Sequence, residues 1–108
     1  MSRFAQTPEP PYYAVIFTST RTPDDQGYAA MAEKMLELAA SQPGFLGVES
    51  AREELGITVG YWTDPESISR WKADLAHREA QRLGRETWYS GYRVRISKVE
   101  RDYGISIS

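Results

Sequence analysis

The sequence has 108 residues, which is enough for one domain with a single hydrophobic core and too few for a multi-domain protein. Its 13 basic and 15 acidic residues give a formal net charge of −2, so the clustered excess of Lys and Arg that a nucleic-acid-binding groove needs is missing, and nucleic acid is not an expected partner. Cysteine is absent and histidine occurs once, which excludes disulfides, thiol catalysis, thiolate metal sites and a multi-histidine metal centre.

The sequence shows neither a signal-peptide pattern nor a membrane-spanning segment. Residues 1–11 contain no apolar run of the kind found in a signal peptide, and no later stretch reaches the ~18 continuous apolar residues of a membrane span. We therefore expect a cytoplasmic protein without a membrane partner.

Residues 1–11 predict an extended arm. Pro8, Pro10 and Pro11 fix φ and remove amide donors, so this segment is predicted to be extended chain outside the folded domain.

Residues 12–19 (YYAVIFTS) follow the arm and predict a first β-strand, because they are mostly β-branched and aromatic. Successive side chains of a strand point to opposite faces of the sheet. Both alternating sets are apolar here, so burial on two sides is expected: Tyr13, Val15 and Phe17 on one face, and Tyr12, Ala14 and Ile16 on the other.

Two segments have helical periodicity. The aspartates at 24–25 can cap a first helix whose apolar residues lie three or four positions apart up to Ala39. Asp64 is a suitable N-cap for a second helix, with Pro65 at its first position. This second helix is expected to stop or bend at Gly84.

Three further strands complete the fold. Residues 45–52 and 57–63 predict strands joined by a tight reversal, hence an antiparallel hairpin, and the alternating residues 88–100 predict a fourth strand. The tail, residues 104–108, alternates Ile and Ser. The β-α-β-β-α-β order predicts an α+β ferredoxin-like fold, a four-stranded antiparallel sheet with two helices on one face.

The strands supply more apolar residues than two helices can cover. Beyond the two-sided first strand, the excess lies in two sets: Ile57, Val59 and Tyr61 of the third strand, and Tyr92, Val94 and Ile96 of the fourth. A bare sheet face would expose a larger apolar patch than monomers usually tolerate. We therefore expect a homodimer in which two sheets pack face to face as a dimeric α/β barrel, with a ligand cavity between each sheet and its helices. The alternative is an over-sized monomer core.

Three ionisable residues are candidates for a catalytic or anion-binding role. His77 is the only side chain with an unperturbed pKa near neutrality, which makes it a candidate general base or haem ligand. Helical spacing places it about 180° from Ile68, so a solvent-facing histidine is the alternative unless the helix bends. Arg93 and Arg95 lie on one face of the last strand and could receive a carboxylate or phenolate, unless Glu49 or another acid neutralises them across the sheet.

The aromatic residues concentrate around the second helix. Large flat side chains there are suited to the wall of a pocket for a flat organic molecule, with hydroxyl and indole N–H groups as donors. Core packing is the alternative for at least half of them. The candidates are Tyr61, Trp62, Trp71, Trp88, Tyr89 and Tyr92.

Three motifs resemble the antibiotic biosynthesis monooxygenase domain family over residues 12–103. They are the run QPGF at 42–45, the run YWTDPES at 61–67 followed by Trp71 and Lys72, and a closing pattern of His77, Ala80, Gln81, Gly84, Arg85, Trp88 and Tyr89. The resemblance implies one domain over residues 12–103, flanked by the arm at 1–11 and the tail at 104–108. It also implies dimeric α/β barrels that, in some members, oxygenate aromatic polyketides or quinols without metal or flavin.

The resemblance suggests a small cofactor-independent monooxygenase that uses dioxygen on an aromatic or quinol-like substrate. A substrate that becomes a carbanion or phenolate supplies the electrons itself, so no cofactor is expected and the protein need only bind, deprotonate and exclude water. The implied catalytic residues are His77 as base, Tyr61 or Tyr92 as hydrogen-bond donor and Arg93 as anion stabiliser. The implied substrate-binding residues are Trp62, Trp71, Trp88 and Tyr92.

Two alternatives stay open. Other family members degrade haem with an Asn, a Trp and a His, but this chain contains no asparagine, so haem is the weaker alternative through His77. The second is a non-catalytic, dimeric small-molecule-binding or stress-related protein on the same scaffold.

Overall fold

The computed structural model describes residues 4–22, 28–76 and 89–105. In chain order the elements are β1 (Tyr12–Arg21), α1 (Tyr28–Ala40), β2 (Phe45–Arg52), β3 (Gly56–Trp62), α2 (Pro65–Ala76) and β4 (Tyr89–Val99). The strands form one sheet in the order β2-β3-β1-β4, and every neighbouring pair is antiparallel. The predicted ferredoxin-like fold is confirmed.

The predicted strand ends agree with these bounds to within two residues. Asp64 caps α2 as expected: its Oδ1 accepts the Ser67 amide at 2.7 Å, and Pro65 is the first helical residue. The pKa of Asp64 is lowered, first by this backbone hydrogen bond and then by the hydroxyl of Thr63. The expected cap of the first helix at 24–25 and the expected stop at Gly84 lie outside the described residues.

Strand register divides the side chains between two faces of the sheet. The indole of Trp62 in β3 contacts that of Trp71 in α2, with ring centroids 6.1 Å apart, so we call the face that bears Trp62 the helix face. Tyr13 is paired with Trp62, and alternation places further β1 residues on the same face. In β1 these are Tyr13, Val15, Phe17 and Ser19. Their paired residues in β4 lie on the same face: Lys98, Ile96, Val94 and Tyr92.

The opposite face is the arm face, because part of the N-terminal arm lies on it. The Ala5 amide donates to Glu49 Oε2 at 3.0 Å, and Glu49 lies on this face because it is paired with Val59 of β3. A Cβ at Gly47 would lie 2.9 Å from that of Ala5, so the absence of a side chain lets the arm approach β2 directly.

The apolar residues of β3 and those of β4, both expected to exceed what the helices can cover, lie on opposite faces of the sheet. Tyr92, Val94 and Ile96 share the helix face with Phe17, whereas Ile57, Val59 and Tyr61 share the arm face with Ile16. The helix-face set is the more exposed, at 45%, 48% and 57% for its three members. Exposed apolar sheet surface therefore lies mainly along β4 on the helix face, and not on the face opposite the helices, through which the homodimer was expected to pack.

The tightest packing lies at the other end of the helix face. Trp62 and Ile68 are buried there, and Phe45 packs edge-on against Trp62 with ring centroids 5.1 Å apart. Gly44 has φ of +88° and leads the chain into β2, and a Cβ at this position would lie 2.1 Å from Ser67 Oγ. Glycine is therefore needed both for the turn and for the close approach of α2.

No helix in the described part of the chain is long and apolar enough to cross a membrane.

Candidate functional site

An exposed apolar surface covers the half of the helix face formed by β1 and β4. We call it the β1–β4 floor and define it by Val15, Phe17, Tyr89, Tyr92, Val94 and Ile96. Register brings these side chains together: Phe17 is paired with Val94, Val15 with Ile96, and Tyr92 lies diagonally beside Phe17. Tyr92, Val94 and Ile96 of this floor are exposed, and neighbouring exposed apolar side chains are candidates for contact with an apolar ligand.

Three aromatic rings form one end of this floor. Phe17 and Tyr92 are stacked with ring centroids 5.6 Å apart and an angle of 23° between their planes. Tyr89 meets both rings edge-on, at 5.3 Å from Phe17 and 6.0 Å from Tyr92. Tyr92 is 45% exposed, and no described residue hydrogen-bonds to its hydroxyl. The ring and the hydroxyl are both accessible to a flat molecule with an oxygen substituent.

The second aromatic cluster, Phe45, Trp62 and Trp71, lies at the far end of the helix face. Trp62 is paired with Tyr13 and Tyr92 with Ser19, six residues apart along β1, which corresponds to about 20 Å. Trp62 is 2% exposed and has the contacts of a core residue. The aromatic candidates described on the helix face thus form two separate clusters, and the roles of Trp62 and Trp71 in substrate binding stay predictions.

Sequence reasoning missed an arginine beside the floor. Arg52, Gly56, Ser19 and Tyr92 form one row across the four strands, in the order β2, β3, β1, β4. Nη2 of Arg52 donates to the carbonyl oxygen of Ser19 at 3.3 Å and to its Oγ. A Cβ at Gly56 would lie 2.2 Å from Cζ of Arg52, so the guanidinium lies flat over this glycine on the helix face. The only sequence signal was a glycine directly opposite an arginine in the hairpin.

Tyr61 lies on the arm face, away from Trp62 and Trp71. Its hydroxyl donates to Glu49 Oε1 at 2.6 Å, and its ring meets that of Tyr12 edge-on at 5.8 Å. Burial, followed by the hydrogen bond to Glu49, raises the pKa of Tyr61 to about 12. The phenol is therefore protonated at neutral pH and its proton is already donated. Its proposed role as a donor to substrate stays a prediction.

Tyr12 ties the N-terminal arm and the segment after β4 to the same face. Its hydroxyl donates to Asp102 Oδ2 and accepts the Thr7 hydroxyl at 3.2 Å. Burial, followed by the hydrogen bond to Asp102, raises the pKa of Tyr12. A cleft of about 400 Å³ lies beside these contacts, with Phe4, Tyr103 and Ile105 among its lining residues.

Arg93 and Arg95 also lie on the arm face, opposite Thr18 and Ile16 of β1. Both are exposed, and neither forms a hydrogen bond or ion pair with a described residue. Glu49 does not neutralise them, because it lies on β2, three strands from β4, and accepts hydrogen bonds from Ala5 and Tyr61 instead. The role of Arg93 as anion stabiliser stays a prediction, on the face that does not bear the floor.

His77 and Trp88 lie outside the described residues, so their predicted roles are not tested. Tyr92 belongs to the floor, whereas Tyr61 and Arg93 belong to the opposite face. In residues 4–22, 28–76 and 89–105, no three His, Cys, Asp or Glu side chains cluster in a way that could hold a metal ion.

Comparison with known proteins identifies relatives of the chain. No family model matches it. It is 52% identical over 103 residues to the uncharacterized protein YqjZ of Bacillus subtilis, covering 94% of this chain and 90% of YqjZ. It is 26% identical over 92 residues to jasmonate monooxygenase ABM of Pyricularia oryzae, covering 81% of this chain and 43% of that protein.

Among solved structures, a variant of SnoaB from Streptomyces nogalater has the same fold. SnoaB is described as a cofactor-independent oxygenase. The two structures match with a TM-score of 0.72 at 15% identity, over 84% of this chain and 95% of SnoaB. The chain therefore belongs to one family with YqjZ, and its fold and the motifs of its sequence resemble those of the antibiotic biosynthesis monooxygenase domain.

Proposed function

We propose that the chain is a small oxygenase that transfers one oxygen atom of dioxygen to an aromatic or quinol-like molecule, without metal or flavin. The β1–β4 floor is the observation that carries this proposal. A flat ring system stacks on Phe17 and Tyr92, and Val94 and Ile96 extend the apolar contact along β4. The hydroxyl of Tyr92 is available to orient an oxygen substituent.

The chemistry balances without an external reductant. In an anthrone-type substrate, a CH₂ group beside an aromatic ketone loses a proton, and the resulting carbanion transfers electrons to dioxygen. A C–O bond forms, the O–O bond of the peroxide breaks with loss of water, and the carbon becomes a carbonyl. One oxygen atom enters the product and the other leaves as water, because the carbon supplies all four electrons. The protein has to hold the substrate, assist the proton transfer and exclude bulk water.

Names of two matched proteins support this reaction class. Jasmonate monooxygenase ABM and the cofactor-independent oxygenase SnoaB are both oxygenases by description. The residues proposed for the proton transfer are His77 as base and Tyr92 as donor to the ketone oxygen. The described part of the floor itself offers hydroxyl groups and no carboxylate or imidazole.

Oxygen uptake by chelator-treated protein tests the proposal. Anthrone-type and quinol substrates should be consumed faster than in buffer, and isotopically labelled dioxygen should place one labelled atom in the product. Tyr92→Ala should slow this reaction, while Leu36→Ala, a change at a similarly exposed residue of α1, should leave it unchanged. Background rates across a broad panel of such substrates would contradict the oxygenase proposal.

Ligand binding without turnover is the second candidate function, and the lack of a carboxylate or imidazole on the described floor favours it. Recovery of a tightly bound molecule from cells, with no conversion on exposure to dioxygen, would support this candidate over the oxygenase. Haem is tested separately by titration. A Soret band that disappears in His77→Ala would support haem ligation, and an unchanged band would exclude His77 as the ligand.

We also propose that two copies associate through the arm face. The exposed apolar side chains of Phe4, Tyr103 and Ile105 line the cleft on this side, and Tyr103 is 91% exposed. Ile57 is exposed on β3 of the same face. A second copy would remove these side chains from water. Sedimentation should give a dimer at micromolar concentration, and Ile57→Asp should shift it toward the monomer. A wild-type monomer at that concentration would contradict the association.

A further inference from the structure

We propose that Arg52 binds an anionic oxygen of the ligand at the aromatic end of the β1–β4 floor. The ligands of this site would then be aromatic acids, phenolates or enolates, and neutral aromatic molecules would bind less tightly. The inference rests on the proposed function only for the location of the ligand on the floor. It does not require that the bound molecule be oxygenated.

The path of the Arg52 side chain is the first argument. It starts on the edge strand β2, crosses β3 above Gly56 and reaches Ser19 on β1. Gly56 is buried, and any larger residue at this position would occupy the space of the guanidinium. The positive charge is therefore held over β3, about one strand spacing inward from the edge strand, with Nη2 directed at β1 on the helix face.

The neighbours of this charge are the second argument. Tyr92 is paired with Ser19 on the next strand, about 5 Å away across the sheet, and Phe17 lies one step along β1 on the same face. A ring stacked on Phe17 and Tyr92 thus has its nearer edge beside the guanidinium. An anionic oxygen at that edge would receive charge-assisted hydrogen bonds, which are stronger than those between neutral groups.

The unused donors of Arg52 are the third argument. Both of its described hydrogen bonds come from Nη2 and go to uncharged oxygen atoms of Ser19. The N–H groups of Nε and Nη1 have no partner among the described residues, and no described carboxylate pairs with this guanidinium. A half-buried arginine with no acidic partner in residues 4–22, 28–76 and 89–105, next to an apolar floor, is suited to receive the charge of a ligand.

This placement has a consequence for the reaction class. Deprotonation of an anthrone or quinol concentrates negative charge on its oxygen, and a fixed guanidinium beside that oxygen favours the deprotonated form. Arg52 would therefore select acidic substrates and also make their first proton easier to remove.

Equilibrium dialysis with a matched pair of probes tests the inference. Naphthalene-2-carboxylate and naphthalene-2-carboxamide have the same ring system and differ in charge. Near neutral pH and at fixed salt, wild-type protein should bind the carboxylate about tenfold more tightly than the carboxamide. Arg52→Gln should remove this preference by weakening the carboxylate alone. Arg52→Lys should keep part of it, because the charge remains but the planar donor group is lost.

Two further variants separate position from charge and from folding. Gly56→Ala keeps the arginine but pushes its guanidinium away, so the carboxylate preference should fall while binding of the carboxamide is unchanged. Arg101→Gln, at an exposed residue after β4, should have no effect on either probe. If circular dichroism shows that Arg52→Gln is unfolded, Arg52→Lys and Gly56→Ala decide the outcome.

Equal affinity of wild-type protein for the two probes, or no binding of the carboxylate, would overturn the inference. An equal loss for both probes in Arg52→Gln would also overturn it, because that is the result of a purely structural role. Oxygen uptake is measured on the same samples: a failed oxygenase assay with intact charge selectivity rejects the proposed reaction and leaves the role of Arg52 standing.

Discussion

The two faces of the sheet are built from alternate residues of the same strands, but different interactions hold them together. On the helix face, rings contact rings, from Phe45, Trp62 and Trp71 at one end to Phe17 and Tyr92 at the other. On the arm face, phenol hydroxyls donate to carboxylates and connect the sheet to chain segments before and after it.

This difference separates tyrosines that a sequence presents as equivalent. Tyr61 and Tyr12 have raised pKa values and donate their protons to carboxylates, so their hydroxyls are already used within the protein. Tyr92 is partly exposed, and its hydroxyl has no described partner. Of these three tyrosine hydroxyls, only that of Tyr92 is without a hydrogen-bond partner among the described residues.

Removing the ring of Trp62, at the end of the helix face where Phe45 and Trp71 pack, should have the largest effect on stability. Trp62→Ala deletes a buried indole between Phe45 and Trp71, and the cavity should lower the free energy of unfolding by about 3–5 kcal/mol. Urea denaturation followed by circular dichroism measures the loss. Leu36→Ala, on the exposed side of α1, is the control and should stay near wild type. A loss below about 1 kcal/mol in Trp62→Ala would show that this end is not the core.

Removing the ring of Tyr92, at the exposed end of the helix face, should lower ligand affinity much more than the free energy of unfolding. Tyr92→Ala takes away the stacked partner of Phe17 on a surface that is already 45% exposed. We expect at least a fivefold loss of affinity for aromatic ligands, on the order of one aromatic contact, with about 1 kcal/mol or less lost in unfolding. Dialysis and urea denaturation on the same protein give both numbers. Unchanged affinity would remove Tyr92 from the site.

On the arm face the expected loss is smaller, because a hydrogen bond is removed and the ring is kept. Tyr61→Phe should lower the free energy of unfolding by about 1 kcal/mol, since Glu49 keeps only the Ala5 amide as a described donor. It should leave binding of aromatic ligands unchanged, because Tyr61 lies across the sheet from the floor. A weaker ligand affinity in Tyr61→Phe would instead support the predicted role of Tyr61 as a donor to substrate.

Local signals were sufficient to predict the strands, the cap at Asp64 and the family. The strand bounds follow from β-branched and aromatic runs, and Asp64 with Pro65 is a local pattern that the chain satisfies within one helical turn. The face on which a residue lies depends on register between distant strands, and this is why Tyr61 and Trp62, neighbours in sequence, belong to different surfaces.

Arg52 shows a second limit of sequence reasoning. Its environment is created by Gly56 and Ser19, which lie 4 and 33 positions away along the chain. In the sequence, Arg52 reads as the last residue of a strand before an acidic turn, where a solvated charge is the usual state. The glycine that makes room for the guanidinium reads as a turn residue, so neither points to a site by itself.

The smallest expected effect is a pH dependence specific to the arm face. The pKa of Tyr61 is raised from 10.0 to about 12, so the folded protein favours the neutral phenol. The stabilisation linked to this residue is therefore complete below pH 10 and is lost as the pH rises from 10 through about 12. Tyr61→Phe has no phenol to titrate at this position, so its deficit relative to wild type should shrink across that window. Urea denaturation at several alkaline pH values measures the difference. A constant gap between Tyr61→Phe and wild type would mean that the hydroxyl of Tyr61 is as free in the folded chain as in the unfolded one. The contrast between a hydrogen-bonded arm face and a helix face of ring contacts would then lose its clearest marker.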